Sequence, residues 1–132
     1  MFKNIIFSVF IIAAFCASAV ATETPQISQA QLLSLLSAPL APEFIVLDVR
    51  SKEEFEAGHI VGALNISHDQ IGNNLSQLSP YKNSTLIVHC KSGRRAGLAE
   101  DELAKHGFSK LRHLTGDMNG WQAANLATIT KQ

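Results

Sequence analysis

Two short stretches, Phe44-Ile45-Val46-Leu47-Asp48-Val49 and Ser84-Thr85-Leu86-Ile87-Val88-His89, are apolar at consecutive positions instead of alternate ones. Successive side chains of a strand point to opposite faces, so a strand with one wet face alternates apolar and polar residues. Runs that are apolar on both faces belong in a sheet covered on both sides. Parallel strands joined through helices reach that arrangement.

The segments between these runs supply the helices. Ser28-Gln29-Ala30-Gln31 and Ser51-Lys52-Glu53-Glu54 have the spacing of capping boxes, in which an N-cap serine and a Gln or Glu three residues later satisfy each other's backbone N–H groups. The first predicts a helix ending near Pro39 and Pro42; the second predicts a short helix closed by Gly58 in a left-handed conformation. Thr22 to Ile27 reads as a polar lead-in, Ala63 to Ile66 as a short strand, and Ser67 to Leu78 as one or two helical turns broken at Gly72-Asn73-Asn74. Ala96, Ala99 and Leu103 recur at helical spacing before Gly107, Lys110 to Leu114 reads as a strand, and Asn119 to Ala124 as a final helix. Helix and strand alternate, which predicts an α/β fold: a mostly parallel sheet flanked by helices on both faces.

The first 21 residues stand apart. Lys3 gives a positive start, Ile5 to Phe15 is almost wholly apolar, and Ala19-Val20-Ala21 is a small-x-small cleavage site, the layout of a secretory signal peptide over residues 1–21. The apolar core is short for a membrane span. Residues 22–132 then form one domain, expected in the periplasm or outside the cell, with no membrane association once the leader is cleaved. Without the leader 10 basic residues face 11 acidic ones, a balance that argues against nucleic acid or an anionic membrane as partner. Of the 2 cysteines, Cys16 leaves with the leader and Cys90 remains as a lone thiol. Exported proteins usually pair their cysteines, so a single one calls for a chemical explanation.

That explanation lies in Val88-His89-Cys90-Lys91-Ser92-Gly93-Arg94-Arg95-Ala96. Cys90 ends a buried strand just before a helix, at the carboxyl edge where open α/β sheets bind ligands. The short loop must curl, which Gly93 permits, and a curl that feeds a helix N-terminus turns several backbone N–H groups inward. Those donors, with the charges of Lys91, Arg94 and Arg95, favour a thiolate over a thiol and attract an anionic substrate.

The segment Cys90 to Ala96 resembles the active-site loop of the rhodanese sulfurtransferases. Leu47-Asp48-Val49-Arg50-Ser51 through Glu54-Phe55, then Gly58-His59-Ile60-Val61-Gly62-Ala63-Leu64-Asn65-Ile66, is similar to the family's upstream signature, and Leu114-Thr115-Gly116 with Gly120-Trp121 to its downstream one. The resemblance spans nearly the whole domain. It implies a parallel sheet of about five strands and a Cys90 that takes sulfane sulfur from a small anionic donor such as thiosulfate. The resulting Cys–S–SH would yield its sulfur to cyanide, a thiol or a thioredoxin-like protein. Lys91, Ser92, Gly93, Arg94 and Arg95 would cradle the persulfide and the donor, with Arg95 close to the entering anion. No metal or organic cofactor is implied. One departure is that Asp117 follows Gly116 where family members often carry a second glycine.

Two other readings use the same loop. A cysteine phosphatase or arsenate reductase needs an arginine six positions after the cysteine to grip oxyanion oxygens, and that position is Ala96. A persulfide carrier or partner-binding module with little turnover is the alternative from another class. Asp48 and Arg50, at a strand end, are secondary candidates that either tune the site or form an ion pair that holds it in place. His59 reads as a structural hydrogen-bonding group, His89 faces away from Cys90, Glu100-Asp101-Glu102 reads as a solvated helix face, and Trp121 as a packing anchor. His68, His106 and His113 show no metal-ligand spacing.

Overall fold

A computed structural model describes residues 23–40 and 43–131; the leader expected over residues 1–21 lies outside them, as does Pro42. The elements run β1 (Gln26–Ile27), α1 (Gln29–Ser37), β2 (Phe44–Asp48), α2 (Lys52–Ala57), β3 (Leu64–Asn65), α3 (Leu75–Leu78), β4 (Thr85–His89), α4 (Arg94–Lys105), β5 (Leu111–Leu114) and α5 (Asp117–Ala123). Short 3-10 turns at His68–Gln70, Gly72–Asn74 and Ser79–Tyr81 fill the link between β3 and β4. The fold is α/β, as the alternation requires.

Five strands form one sheet in the order β1-β5-β4-β2-β3, and every pairing is parallel. The strand period divides the core into two layers. Leu86 and Val88 of β4, with Cys90 just beyond it, face α3 and α4 and pack with Leu47, Val49, Leu78, Ala96, Ala99 and Leu103. Ile87 faces the other way, into a layer made by Leu32 of α1, Met118 and Trp121 of α5, and Val46. Both faces of β4 are therefore dry, which accounts for its unbroken apolar run.

Both capping boxes are present: Ser28 accepts from the Gln31 N–H and Ser51 from the Glu54 N–H, with each partner side chain returning the bond. Gly58 departs from expectation. Its φ of 162° is extended, because the chain passes directly into an antiparallel bridge between His59 and Ile129. The polar lead-in is also more ordered than its composition suggests, since Gln26 and Ile27 pair with His113 and Leu114 as edge strand β1. The last helix begins at Asp117 instead of Asn119.

The chain leaves β4 toward β5 and leaves the neighbouring β2 toward β3, in opposite directions across the sheet. The carboxyl ends of β2 and β4 thus form a topological switch point, where open α/β sheets bind ligands. Cys90 follows β4 at this point, and Asp48 and Arg50 stand at the end of β2. These two form a buried ion pair in which Arg50 Nη2 donates to Asp48 Oδ2 at 2.7 Å and to the Gly58 carbonyl at 2.8 Å. Asn65 Nδ2 donates to the carbonyls of both residues, so this turn joins β2, α2 and β3. Removing one partner of a buried pair strands the other's charge. Arg50→Ala should cost about 3–5 kcal/mol in urea denaturation, and a loss below about 1 kcal/mol would mean the pair does not hold this edge.

Candidate active site

The loop after β4 is fixed by what its own peptide groups bond to. The Met118 N–H donates to the Cys90 carbonyl at 3.0 Å, and the Asn119 N–H to the Lys91 carbonyl at 3.0 Å. The start of α5 therefore draws these carbonyl oxygens toward itself. The loop curls at Gly93, whose φ of 116° favours glycine, and a β-carbon there would also crowd Asp117 Oδ2 at 3.2 Å. The Gly93 N–H meets the Cys90 Sγ at 3.0 Å, at the N-terminus of the 12-residue α4. A backbone donor and a helix N-terminus thus meet at one sulfur. Cys90 is only 1% exposed, so the sulfur sits at the floor of its loop.

The three cations of the loop occupy different surroundings. Lys91 is exposed, as is Ser92. Arg94 lines a cleft of about 450 Å³ on the flank of α4, with Glu100, Asp101 and His113. Arg95 forks onto Glu54 of α2, Nη1 to Oε1 at 2.6 Å and Nη2 to Oε2 at 3.0 Å. That bidentate partner holds the Glu54 carboxyl down at about 2. The same carboxylate, with the Cys90 sulfur adding a smaller share, raises Arg95 above its usual range. Of the three loop cations, Arg95 is the one fixed by a bidentate carboxylate.

His89 lies on the opposite face of β4 from Cys90, as strand geometry requires. Its Nδ1 donates to the Cys90 carbonyl at 3.0 Å, and burial lowers its pKa, so the ring stands neutral behind the loop and not beside the sulfur. His59 bonds the Phe55 carbonyl through Nδ1 at 2.7 Å and stacks on the Phe55 ring, a structural position. Among the clefts lined by described residues, the one of about 610 Å³ between α2 and the C-terminal segment includes Phe55, His59 and Ile129 but not Cys90 or its loop.

Glu100 corrects the sequence reading of a solvated helix face. Glu100 is 4% exposed and bonds His113 Nδ1, while His113 Nε2 donates to Asp117 Oδ2 at 2.9 Å. Asp117 Oδ1 in turn accepts the N–H of Cys90 at 2.9 Å. A chain of three side chains from α4, β5 and α5 thus ends on the backbone of Cys90. The available signal was helical: the period that buries Ala96, Ala99 and Leu103 places Glu100 on the same face. For Asp117, burial opposes the charged form, but the His113 ring and the Cys90 N–H outweigh it and hold the carboxyl below its usual range. The bond to Asp117, then that to Glu100, raises His113 to about 10.

Comparison with known proteins gives a consistent result. The family model for the rhodanese-like domain matches residues 28–124. The chain is 31% identical over 86 residues to the uncharacterized protein YibN of Escherichia coli, covering 64% of this chain and 60% of that one. It is 31% identical over 70 residues to the thiosulfate sulfurtransferase PspE of Escherichia coli, covering 53% and 67% respectively. The rhodanese-like domain of the Alr3790 protein from Anabaena superposes with a TM-score of 0.71 at 26% identity, over 83% of this chain and 81% of that domain.

The His113 network makes stability depend on pH. The folded state keeps its proton up to about 10, whereas an unfolded histidine loses it near about 6.5. The stabilisation is whole below the unfolded value and fades as pH rises through the folded one. Between those limits the melting temperature of the wild type should fall with pH more steeply than that of His113→Gln. Parallel curves would show that His113 is not charged in the folded chain.

Proposed function

The chain belongs to the rhodanese-like domain family, and from that premise we propose that it is a sulfurtransferase that carries sulfane sulfur on Cys90, taken from thiosulfate and passed to cyanide or a thiol. The observation that carries this reading is the Cys90 Sγ at the floor of its loop, accepting the Gly93 N–H at 3.0 Å beside the α4 N-terminus. Such a site supports a thiolate, and then a terminal persulfide anion, without a second thiol or a metal.

The proposed chemistry balances without an outside oxidant. The Cys90 thiolate attacks the outer sulfur of thiosulfate, and the sulfur–sulfur bond of the donor breaks with its electron pair leaving on sulfite. Cys–S–S⁻ remains. Cyanide or a thiolate then attacks that terminal sulfur and Cys90 departs as the original thiolate. Arg95 offsets the charge of the entering dianion and of departing sulfite, and Lys91 adds to the field at the mouth of the loop. The proposed leader at residues 1–21 would take the enzyme to the periplasm or outside the cell. A thioredoxin-like protein is then a suitable thiol acceptor.

Phosphoryl chemistry finds no support in the same loop. The sixth residue after Cys90 is Ala96, fully buried in the core, where no side chain could clamp phosphoryl oxygens. The sulfurtransferase reading is tested by following thiocyanate from thiosulfate and cyanide. Turnover should vanish in Cys90→Ser. In Arg95→Ala, kcat/KM for thiosulfate should fall about tenfold or more, as expected for the loss of a charge-assisted contact. Wild-type kcat/KM in Arg95→Ala would remove that residue from the site, and turnover by Cys90→Ser would overturn the reading. Comparing cyanide with a reduced thioredoxin-like protein separates enzyme from carrier, since a carrier discharges efficiently only to its partner.

A further inference from the structure

Asp117 is costly where it stands. Its φ is 53°, in the left-handed region where a β-carbon is penalised, and its carboxylate is 5% exposed. A charge so buried is retained only if it is paired, and here His113 and, behind it, Glu100 provide the pairing. Among the described residues, what these side chains give the rest of the molecule is one bond, from the Cys90 N–H to Asp117 Oδ1. A strained, buried charge spent on the backbone of the nucleophile points to function.

We infer that Asp117 is a positioning residue for sulfur transfer, resting on the sulfurtransferase reading above: held by His113 and Glu100, it fixes the direction in which the loop presents the Cys90 sulfur. The two peptide planes on either side of the Cys90 α-carbon are rigid units. Asp117 holds the first through the Cys90 N–H and the Val49 N–H holds it through the His89 carbonyl, while the Met118 N–H and the His89 ring hold the second through the Cys90 carbonyl. With both planes fixed, φ and ψ of Cys90 are fixed, and Sγ meets the Gly93 N–H. Without Asp117 the first plane keeps only its Val49 bond, its Cys90 N–H is left without an acceptor, and the sulfur loses its alignment with donor and acceptor. Misalignment of this kind acts on the chemical step more than on donor binding.

Two substitutions separate positioning from support of the fold. Asp117→Gly suits the backbone angle and deletes the acceptor; Asp117→Asn deletes the charge but keeps an oxygen for the Cys90 N–H. The Gly variant should melt below wild type, because His113 keeps only Glu100 as a partner, yet remain folded at the assay temperature. Its kcat for thiosulfate should drop about tenfold while KM moves less than about twofold, and the Asn variant should recover most of the lost rate. Wild-type kcat in the Gly variant, or an Asn variant no faster than it, would overturn the assignment. Alkylation of Cys90 by iodoacetamide should follow the same order, and it needs no sulfur transfer. If the wild type turns over no sulfane donor, the sulfurtransferase reading fails while alkylation still decides the positioning role. Should the Gly chain not fold, exchange of the Cys90 amide hydrogen decides. Protection in both the wild type and the Asn variant supports the bond; exchange as fast as that of the exposed Lys91 amide refutes it.

Discussion

The attachment of the Cys90 loop to the start of α5 is the constraint from which the site follows. A loop between a buried strand and a helix has carbonyls and N–H groups that must all find partners. Here the N–H groups of Met118 and Asn119 take the carbonyls of Cys90 and Lys91, and the Gly93 N–H is left for the sulfur. α5 is itself anchored by Met118 and Trp121 in the second core layer, and Trp121 Nε1 donates to the Ala127 carbonyl. The geometry at the sulfur is thus transmitted from the packing beneath the opposite face of the sheet. Gly116, with a φ of 82° and only 3.2 Å between a would-be β-carbon and the Gly120 Cα, lets α5 begin close enough to make these bonds.

Charge around the site is partitioned by elements that meet at the carboxyl edge of the sheet. The Asp48–Arg50 pair closes the end of β2, the Glu54–Arg95 fork spans α2 and α4, and Glu100, His113 and Asp117 join α4, β5 and α5. Buried pairs contribute little net stability, because desolvation offsets their attraction, but they make misplacement costly. Their common effect is to fix where each charge sits. Arg95 is held by Glu54, and the charge of Asp117 is offset by His113.

The fold was readable wherever a segment carries its own burial pattern. β2 and β4 announce themselves by apolar runs, and both capping boxes form as their spacing predicts. β1 does not: it has two residues, of which only Ile27 is buried, and its pairing with β5 makes it a strand. Cys90 was legible from its place between strand, glycine and helix. The partners of the loop were not, because Cys90 and Asp117 lie 27 residues apart and Arg95 and Glu54 lie 41 apart. Glu54 was visible as part of a capping box, yet nothing local shows that its carboxylate also grips Arg95. Sequence pattern locates the cysteine; tertiary contacts decide which charged groups surround its loop.

The central claim is that Cys90 stores sulfur. The direct measurement is the intact mass of the chain after treatment with thiosulfate and removal of excess donor. The account predicts a species heavier by one sulfur atom, localised by peptide mapping to Cys90, reversed by cyanide and absent in Cys90→Ser. A mass unchanged by thiosulfate and other sulfane donors, with the Cys90 thiol shown to be free, would contradict it.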